Sequence, residues 1–244
     1  MTVEVLKSKS EIDSARIELR RRGLSFIGPW WLRKLREHHV VRGVNIGHHV
    51  KSWDILKTAT FIEKNISKNG PILDIGAYAS EILYVLHRLD YSELTGVDLN
   101  PKIELMPHRD NIRYKVADFM HTELQNEAFE AITAISVIEH GFKSQPLLKG
   151  IYSLLRPGGY FIASFDYWPD KIDTAGIDMF GLDWRIFSKT ELLAFMDEAR
   201  EYGLVPYGPM DLEVEDPVMN WAGRSYTFAW LVLSKAVPSG RASS

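Results

Sequence analysis

From residue 71 onward the chain alternates short apolar runs with stretches whose apolar residues recur at helical spacing. Ile72, Leu73 and Ile75 make the first run, which stops at Gly76, and Ile82, Leu83, Leu86 and Leu89 then continue on one helical face. Residues 94–97 close on Asp98, 112–117 on Asp118, 131–138 on Glu139 and His140, and 160–165 on Asp166. These polar ends recur every 20 to 26 residues. Such regularity predicts successive βα units in a parallel sheet, with a polar side chain at each carboxyl end, where open α/β sheets bind ligands.

The flanks read differently. Residues 10–22 predict a short basic helix with Ile12, Ala15 and Leu19 on one side. After a break at 23–31, Trp30, Trp31, Leu32 and Leu35 stand among Arg33, Lys34 and Arg36. Burial of these aromatics against the main domain is the expectation; a substrate lid or a peripheral membrane contact are the alternatives. Residues 53–66 and 189–202 predict helices, 212–214 and 226–234 strands, and 220–221 a loop. The division is a helical arm or lid at 1–50, a domain at 51–237 and a disordered tail at 238–244. The loops at 166–188 and 209–225 are candidates to line an acceptor site, since long aromatic connectors cover pockets.

Of the 244 residues 45% are hydrophobic and 25% charged, which suits one large globular domain with an appendage. There is no cysteine, so disulfides, thiolate zinc sites and cysteine nucleophiles are excluded. The adjacent pairs His38-His39 and His48-His49 lack the spacing of a helical metal site, and no metal is expected. The net charge of −3 argues against a dedicated nucleic-acid binder, although residues 1–50 hold ten Lys and Arg against five acids. No apolar run approaches membrane-spanning length and no signal-peptide core is evident, so a cytoplasmic location is expected.

The stretch from 71 to 82 concentrates the candidate chemistry. Asp74 lies inside an apolar strand, and a small-residue turn of Gly76, Ala77, Tyr78, Ala79 and Ser80 follows. Ser80 is a candidate N-cap, and the free amides of such a turn favour an anionic group above it. Asp98, 22 residues beyond Gly76, stands where a carboxylate can accept both hydroxyls of an adenosine ribose. Tyr78 and Ala79 fill the loop that a dinucleotide site leaves bare for its pyrophosphate. An acid two residues before the glycine suits a ligand with an ammonium group, such as a methionine moiety.

These residues together resemble class I S-adenosylmethionine-dependent methyltransferases of the small-molecule type. Asp74-Ile75-Gly76 is similar to the start of the first motif, D-x-G-x-G-x-G, with Tyr78 and Ser80 at two glycine positions. Asp98, with Leu99, is similar to the ribose-binding acid, and Asp118-Phe119 to the pair that holds the adenine. Residues 136–140, Ser-Val-Ile-Glu-His, resemble the fourth-strand motif, and 155–159, Leu-Arg-Pro-Gly-Gly, the turn before the fifth strand. The resemblance covers about residues 50 to 235. It implies a Rossmann-like, doubly wound, mostly parallel seven-stranded sheet with helices on both faces, extended by the N-terminal helical arm. It also implies S-adenosylmethionine as cofactor, bound by Asp74, Gly76, Ala77, Tyr78, Ser80, Asp98, Leu99, Asp118, Phe119 and Ser136. Tyr78 must then point away from the methionine moiety or partly cover it.

Methyl transfer from a sulfonium is an in-line displacement, so catalysis is mostly alignment, and a hydroxyl acceptor needs a base. His140 is the first candidate base, and Asp166 the second, either as base or as the group that orients His140 or the acceptor. The connector after Asp166 carries five Asp between 166 and 183 against Lys171 alone. Carboxylates and indoles suit a polyhydroxylated or amine-bearing acceptor and disfavour a phosphate backbone. Tyr167, Trp168, Trp184 and Trp221 are the candidate acceptor contacts. The reading is O-methylation of a sugar, a glycan or another hydroxylated small molecule. An RNA methyltransferase using the basic arm and a non-catalytic binding protein on the same fold are the alternatives.

Overall fold

The computed structural model describes residues 3–121, 124–141 and 143–237; the tail expected at 238–244 lies outside them. The helices are α1 (Lys9–Arg21), α2 (Trp30–Glu37), α3 (Ser52–Asn65), α4 (Ile82–Arg88), α5 (Ser144–Leu154) and α6 (Lys189–Glu201). The strands begin with β1 (Val3–Val5), β2 (Ile72–Ile75), β3 (Leu94–Asp98), β4 (Ile112–Val116), β5 (Phe129–Ile135) and β6 (Leu155–Tyr167). They continue with β7 (Asp178–Met179), β8 (Leu182–Asp183), β9 (Leu204–Pro206), β10 (Met210–Asp211), β11 (Met219–Trp221) and β12 (Arg224–Lys235).

Ten strands share one sheet among the described residues, in the order β10-β1-β12-β6-β5-β2-β3-β4, with β9 and β11 on other stretches of β12. Strands β4, β3, β2, β5 and β6 run parallel, and β12 returns antiparallel to β6. Strand order reverses between β2 and β5, which opens a crevice at their carboxyl ends. Side chains of α1, α3 and α4, among them Leu19, Ile62 and Leu83, bury against one face. Those of α5 and α6, among them Leu148, Ile151 and Met196, bury against the other. This is the parallel sheet of βα units that the apolar repeat predicts, in the doubly wound Rossmann-like arrangement that the resemblance implies. Both faces are covered, so β2 and β5 read as nearly unbroken apolar runs.

Three features depart from the sequence reading. Residues 1–50 are not only helical, because Val3–Val5 adds a strand beside β12. The strand expected at 212–214 lies instead at Met210–Asp211, and the loop expected at 220–221 is β11, a hairpin partner of β12. Trp30 and Trp31 do not pack on the main domain: they are 72% and 53% exposed. The reason lies on the other side of α2. Arg33 donates to the carbonyls of Ile46 and Gly47 and Arg36 to that of Val44, so the following loop packs on the basic side and the indoles face outward. No helix among the described residues is long and apolar enough to cross a membrane.

The N-terminal region is tied firmly to the sheet. Ile12, Ala15 and Leu19 of α1 are buried, and so is Arg16. The Arg16 guanidinium grips Glu81 through two bonds of 2.9 and 2.8 Å and donates also to Ser25 and Ser52. Glu81 also accepts the Phe26 amide. Glu81 thus occupies the N-cap position of α4, one residue beyond the Ser80 expected there, with its carboxylate turned to Arg16 and not to the helix amides.

Candidate active site

Strand β2 ends at Ile75, and Gly76 turns the chain with φ +73°. A side chain there would be strained and would run into Val137. The amides of Gly76 and Ala77 both donate to the Val97 carbonyl, so the turn lies against the end of β3. The left-handed residue of the rest of the turn is Ala79, at φ +61°, and neither Tyr78 nor Ser80 has positive φ. Side chains are therefore tolerated at these two positions where the resembling motif has glycine. The Ala79 carbonyl accepts the Gly47 amide at 2.9 Å, which brings the N-terminal region onto the turn.

Asp98 closes β3 half-buried. Its carboxylate accepts the Tyr78 amide at 2.9 Å and the Asn100 amide at 2.7 Å, one on each oxygen. Two amides fix the carboxylate and leave lone pairs for a further donor pair. Leu99 beside it is 60% exposed, an apolar surface next to a carboxylate. Asp74 is fully buried beneath the turn, where Thr133 donates to its Oδ1 at 2.6 Å. Its Oδ2 has no hydrogen-bond partner among the described residues. Burial pushes the Asp74 carboxyl up to about 7 against the pull of the Thr133 and Ser80 hydroxyls. Asp118 accepts the Met120 amide at 2.9 Å, and Phe119 turns toward α5, where it lines a cavity of about 580 Å³ with Met120, Gln145 and Lys149.

The ends of β5 and β6 hold a second group. Ser136 sits in the left-handed region at φ +55°, and its amide donates to the Ser164 carbonyl at 2.9 Å. Glu139 is buried and His140 half-buried. Asp166 is 5% exposed and accepts the Trp184 indole N–H at 2.7 Å. Trp184 meets Trp221 edge-on at 4.9 Å and Tyr226 at 5.6 Å. The connector crosses over these strand ends: Gly141 donates to the Asp183 carbonyl, Arg185 to that of Glu139, and Phe187 to that of Asp166. Trp168 is half-buried beside them. Tyr167 is not with the group. It is fully buried on the α5 and α6 face, because alternation along β6 turns it opposite to Asp166, and its hydroxyl donates to the Leu212 carbonyl.

Two residues of α3 and its approach complete this group. Asp54 is fully buried and accepts the Ser164 hydroxyl at 3.0 Å. Lys51 places Nζ 3.7 Å from Asp54 and 3.4 Å above the Phe228 ring. Burial pushes the Asp54 carboxyl up to about 6, and the Lys51 charge opposes this. Burial also raises Glu139, with the Asp166 charge adding to it, and raises Asp166 itself. His140 moves the other way: burial first, then the Lys51 charge, lowers it to about 4. The sequence reading missed Asp54 and Lys51. An acid in a helix's first turn reads as a dipole partner, and nothing local marks it as buried.

Asp98, Leu99 and the turn at 76–80 fit an adenosyl group, with a carboxylate for the ribose diol and an apolar surface beside it. The unpartnered Asp74 Oδ2 suits a donor arriving from the turn side. Comparison with solved structures agrees on the architecture. The chain superposes on geranyl diphosphate C-methyltransferase from Streptomyces coelicolor A3(2) with a TM-score of 0.55, at 15% identity over 74% of this chain and 79% of that one. It superposes on the cyclase SpnF with a TM-score of 0.56, at 14% identity over 96% and 98%. The likeness to these two structures is one of fold. Residues 73–163 match the family described as methyltransferase domain. The sterol 24-C-methyltransferase of Candida albicans is 29% identical over 121 residues, 45% of this chain. The matched stretch spans about a third of that relative, 31% of its length.

Proposed function

We propose that the protein is a methyltransferase that uses S-adenosylmethionine to methylate a hydroxyl of a small polar acceptor, such as a sugar or another hydroxylated metabolite. The observation that carries the reading is the row of polar strand ends. Asp98 is held ready by two amides at the end of β3, and Ser136, Glu139, His140 and Asp166 stand across the switch point at the ends of β5 and β6. When bound, S-adenosylmethionine supplies an electrophilic methyl group on a sulfonium. Asp98 holds the ribose, and the turn at 76–80 shapes the methionine side. His140 is unprotonated at neutral pH, the state a base requires, because burial and Lys51 disfavour its cation. Burial raises the Asp166 carboxyl, so it holds a proton more readily than a free aspartate does. The connector over the strand ends excludes water from the transfer.

The sterol and isoprenoid methyltransferases among the similar proteins raise a second class of acceptor, a lipid with or without a diphosphate. The buried carboxylates at the acceptor end disfavour a diphosphate, which would face like charges. Calorimetric titration with S-adenosylhomocysteine tests the cofactor, and transfer of labelled methyl to a panel of sugars and hydroxylated metabolites tests the reaction. His140→Ala is expected to abolish transfer while leaving S-adenosylhomocysteine affinity unchanged; unchanged turnover would remove His140 from the mechanism.

A further inference from the structure

We propose that Asp54, Glu139 and Asp166, with Lys51, form a subsite that takes a cationic amine carried by the acceptor. Three carboxylates from three elements, on α3, after β5 and at the end of β6, lie close enough for the Asp166 charge to act on the other two. One cation stands among them, and it is pinned between Asp54 and the Phe228 ring. Three acids against one cation make a place that draws positive charge: burial raises all three carboxyls, and a cation would replace the protons they hold.

The hydrogen bonding is unbalanced in the same sense. Asp54 and Glu139 are 0% and 1% exposed, yet among the described residues Asp54 Oδ1 and Glu139 Oε2 have no hydrogen-bond partner. A buried carboxylate oxygen without a donor is costly. An alkylammonium brings one positive charge and three N–H donors, whereas a hydroxyl brings one donor and no charge. Trp184, Trp221 and Tyr226 stand beside Asp166 and present ring surface that also favours a cation. A divalent metal is the competing cation, but no group of three or more His, Asp or Glu among the described residues is arranged to hold one. Half-buried His140, edge-on to the 87% exposed Phe180, marks the side on which the cluster meets solvent.

Calling the amine part of the acceptor rests on the methyltransferase reading, while the preference for a cation does not. The full chain, labelled with nitrogen-15 and free of cofactor, would be titrated with n-butylammonium and with n-butanol. The indole N–H of Trp184, bonded to Asp166, reports the site. The expected result is a saturating shift with the amine at an affinity at least about tenfold above that for the alcohol. Asp54→Asn and Glu139→Gln should each weaken the amine by about tenfold and leave S-adenosylhomocysteine affinity, measured by calorimetry, unchanged. The proposal is overturned if butanol matches the amine, if both variants bind the amine as the parent does, or if they lose S-adenosylhomocysteine in step with it. The amine-to-alcohol comparison needs no variant, so a misfolded variant cannot shelter the idea. Amine binding in a parent protein that ignores S-adenosylhomocysteine would support the subsite and refute the cofactor reading.

Discussion

Arg16→Met should be among the most damaging single substitutions outside the sheet. Arg16 and Glu81 are each 1% exposed, and their paired bonds of 2.9 and 2.8 Å are shielded from solvent. Removing the guanidinium strands a buried carboxylate with only the Phe26 amide and takes one hydrogen bond each from the Ser25 and Ser52 hydroxyls, of which Ser52 still donates to the His49 carbonyl. Breaking a buried pair in this way costs about 3–5 kcal/mol. At about 2–4 °C per kcal/mol for a chain of this size, Tm should fall by about 6–20 °C. Arg16→Met/Glu81→Leu removes both charges and should recover much of the loss, because the stranded carboxylate is the largest part of the cost. Arg22→Met is the control. Its pair with Glu63 is partly exposed at 24% and 29%, and the loss should stay below about 1 kcal/mol. Guanidinium denaturation of the parent, Arg16→Met, Glu81→Leu and the double variant, read as a double-mutant cycle, measures the pair, and Arg22→Met is denatured beside them. A loss under about 1 kcal/mol for Arg16→Met, or a double variant weaker than both singles, would refute the assignment of a structural role to this pair.

Asp98→Ala should weaken S-adenosylhomocysteine by at least about tenfold, or 1.4 kcal/mol, in calorimetry; undiminished affinity would place the ribose elsewhere. Gly76→Ala should destabilise the fold by more than about 1 kcal/mol in chemical denaturation, since φ is +73° and Val137 occupies the space. The Asp74 carboxyl lies at about 7 in the fold against an ordinary value of 3.8, so the folded chain binds the extra proton between about 4 and 7. Stability should therefore fall as pH rises through that window, with the cost complete above it. Asp74→Asn should flatten the slope, and denaturation midpoints across the window would show an unchanged slope if the reasoning is wrong.

What was legible in the sequence is what both-face burial and turn geometry write locally. The repeat of apolar run and polar end gave β2 to β6, because a parallel strand covered on both faces has no choice but continuous apolar residues. Gly76 and Asp98 were legible because only glycine suits that turn and an acid at a strand end has no core role. The departure at Tyr78 and Ser80 could not be weighed from sequence. The structure places the left-handed residue at Ala79, which nothing in the residue type announces. Strands of three residues such as β1 and β11 are decided by the edge of β12 that they join, more than two hundred residues away in the case of β1.

The polar residues that stayed hidden share a property. Arg16 finds Glu81 65 positions along the chain, Asp54 finds Ser164 at 110, and Gly47 bonds the carbonyl of Ala79 in the turn. In the sequence, Arg16 is one of ten cations in a basic segment and Asp54 an acid at a helix start, each with an ordinary surface explanation. Each long-range contact joins the first 54 residues to the carboxyl edge of the sheet, at the turn, at α4 or beside Asp166. The N-terminal segment is therefore a wall of the candidate site more than an arm attached to it. Its charge serves two different places: Arg16 is consumed in holding the turn, and Lys51 stands with the acids that face the acceptor. A basic composition that would suggest RNA contact is in these two cases spent inside the protein, while Arg33 and Arg36 are spent on backbone carbonyls. Net charge along a segment thus says little about partners until the cations that fold it have been subtracted.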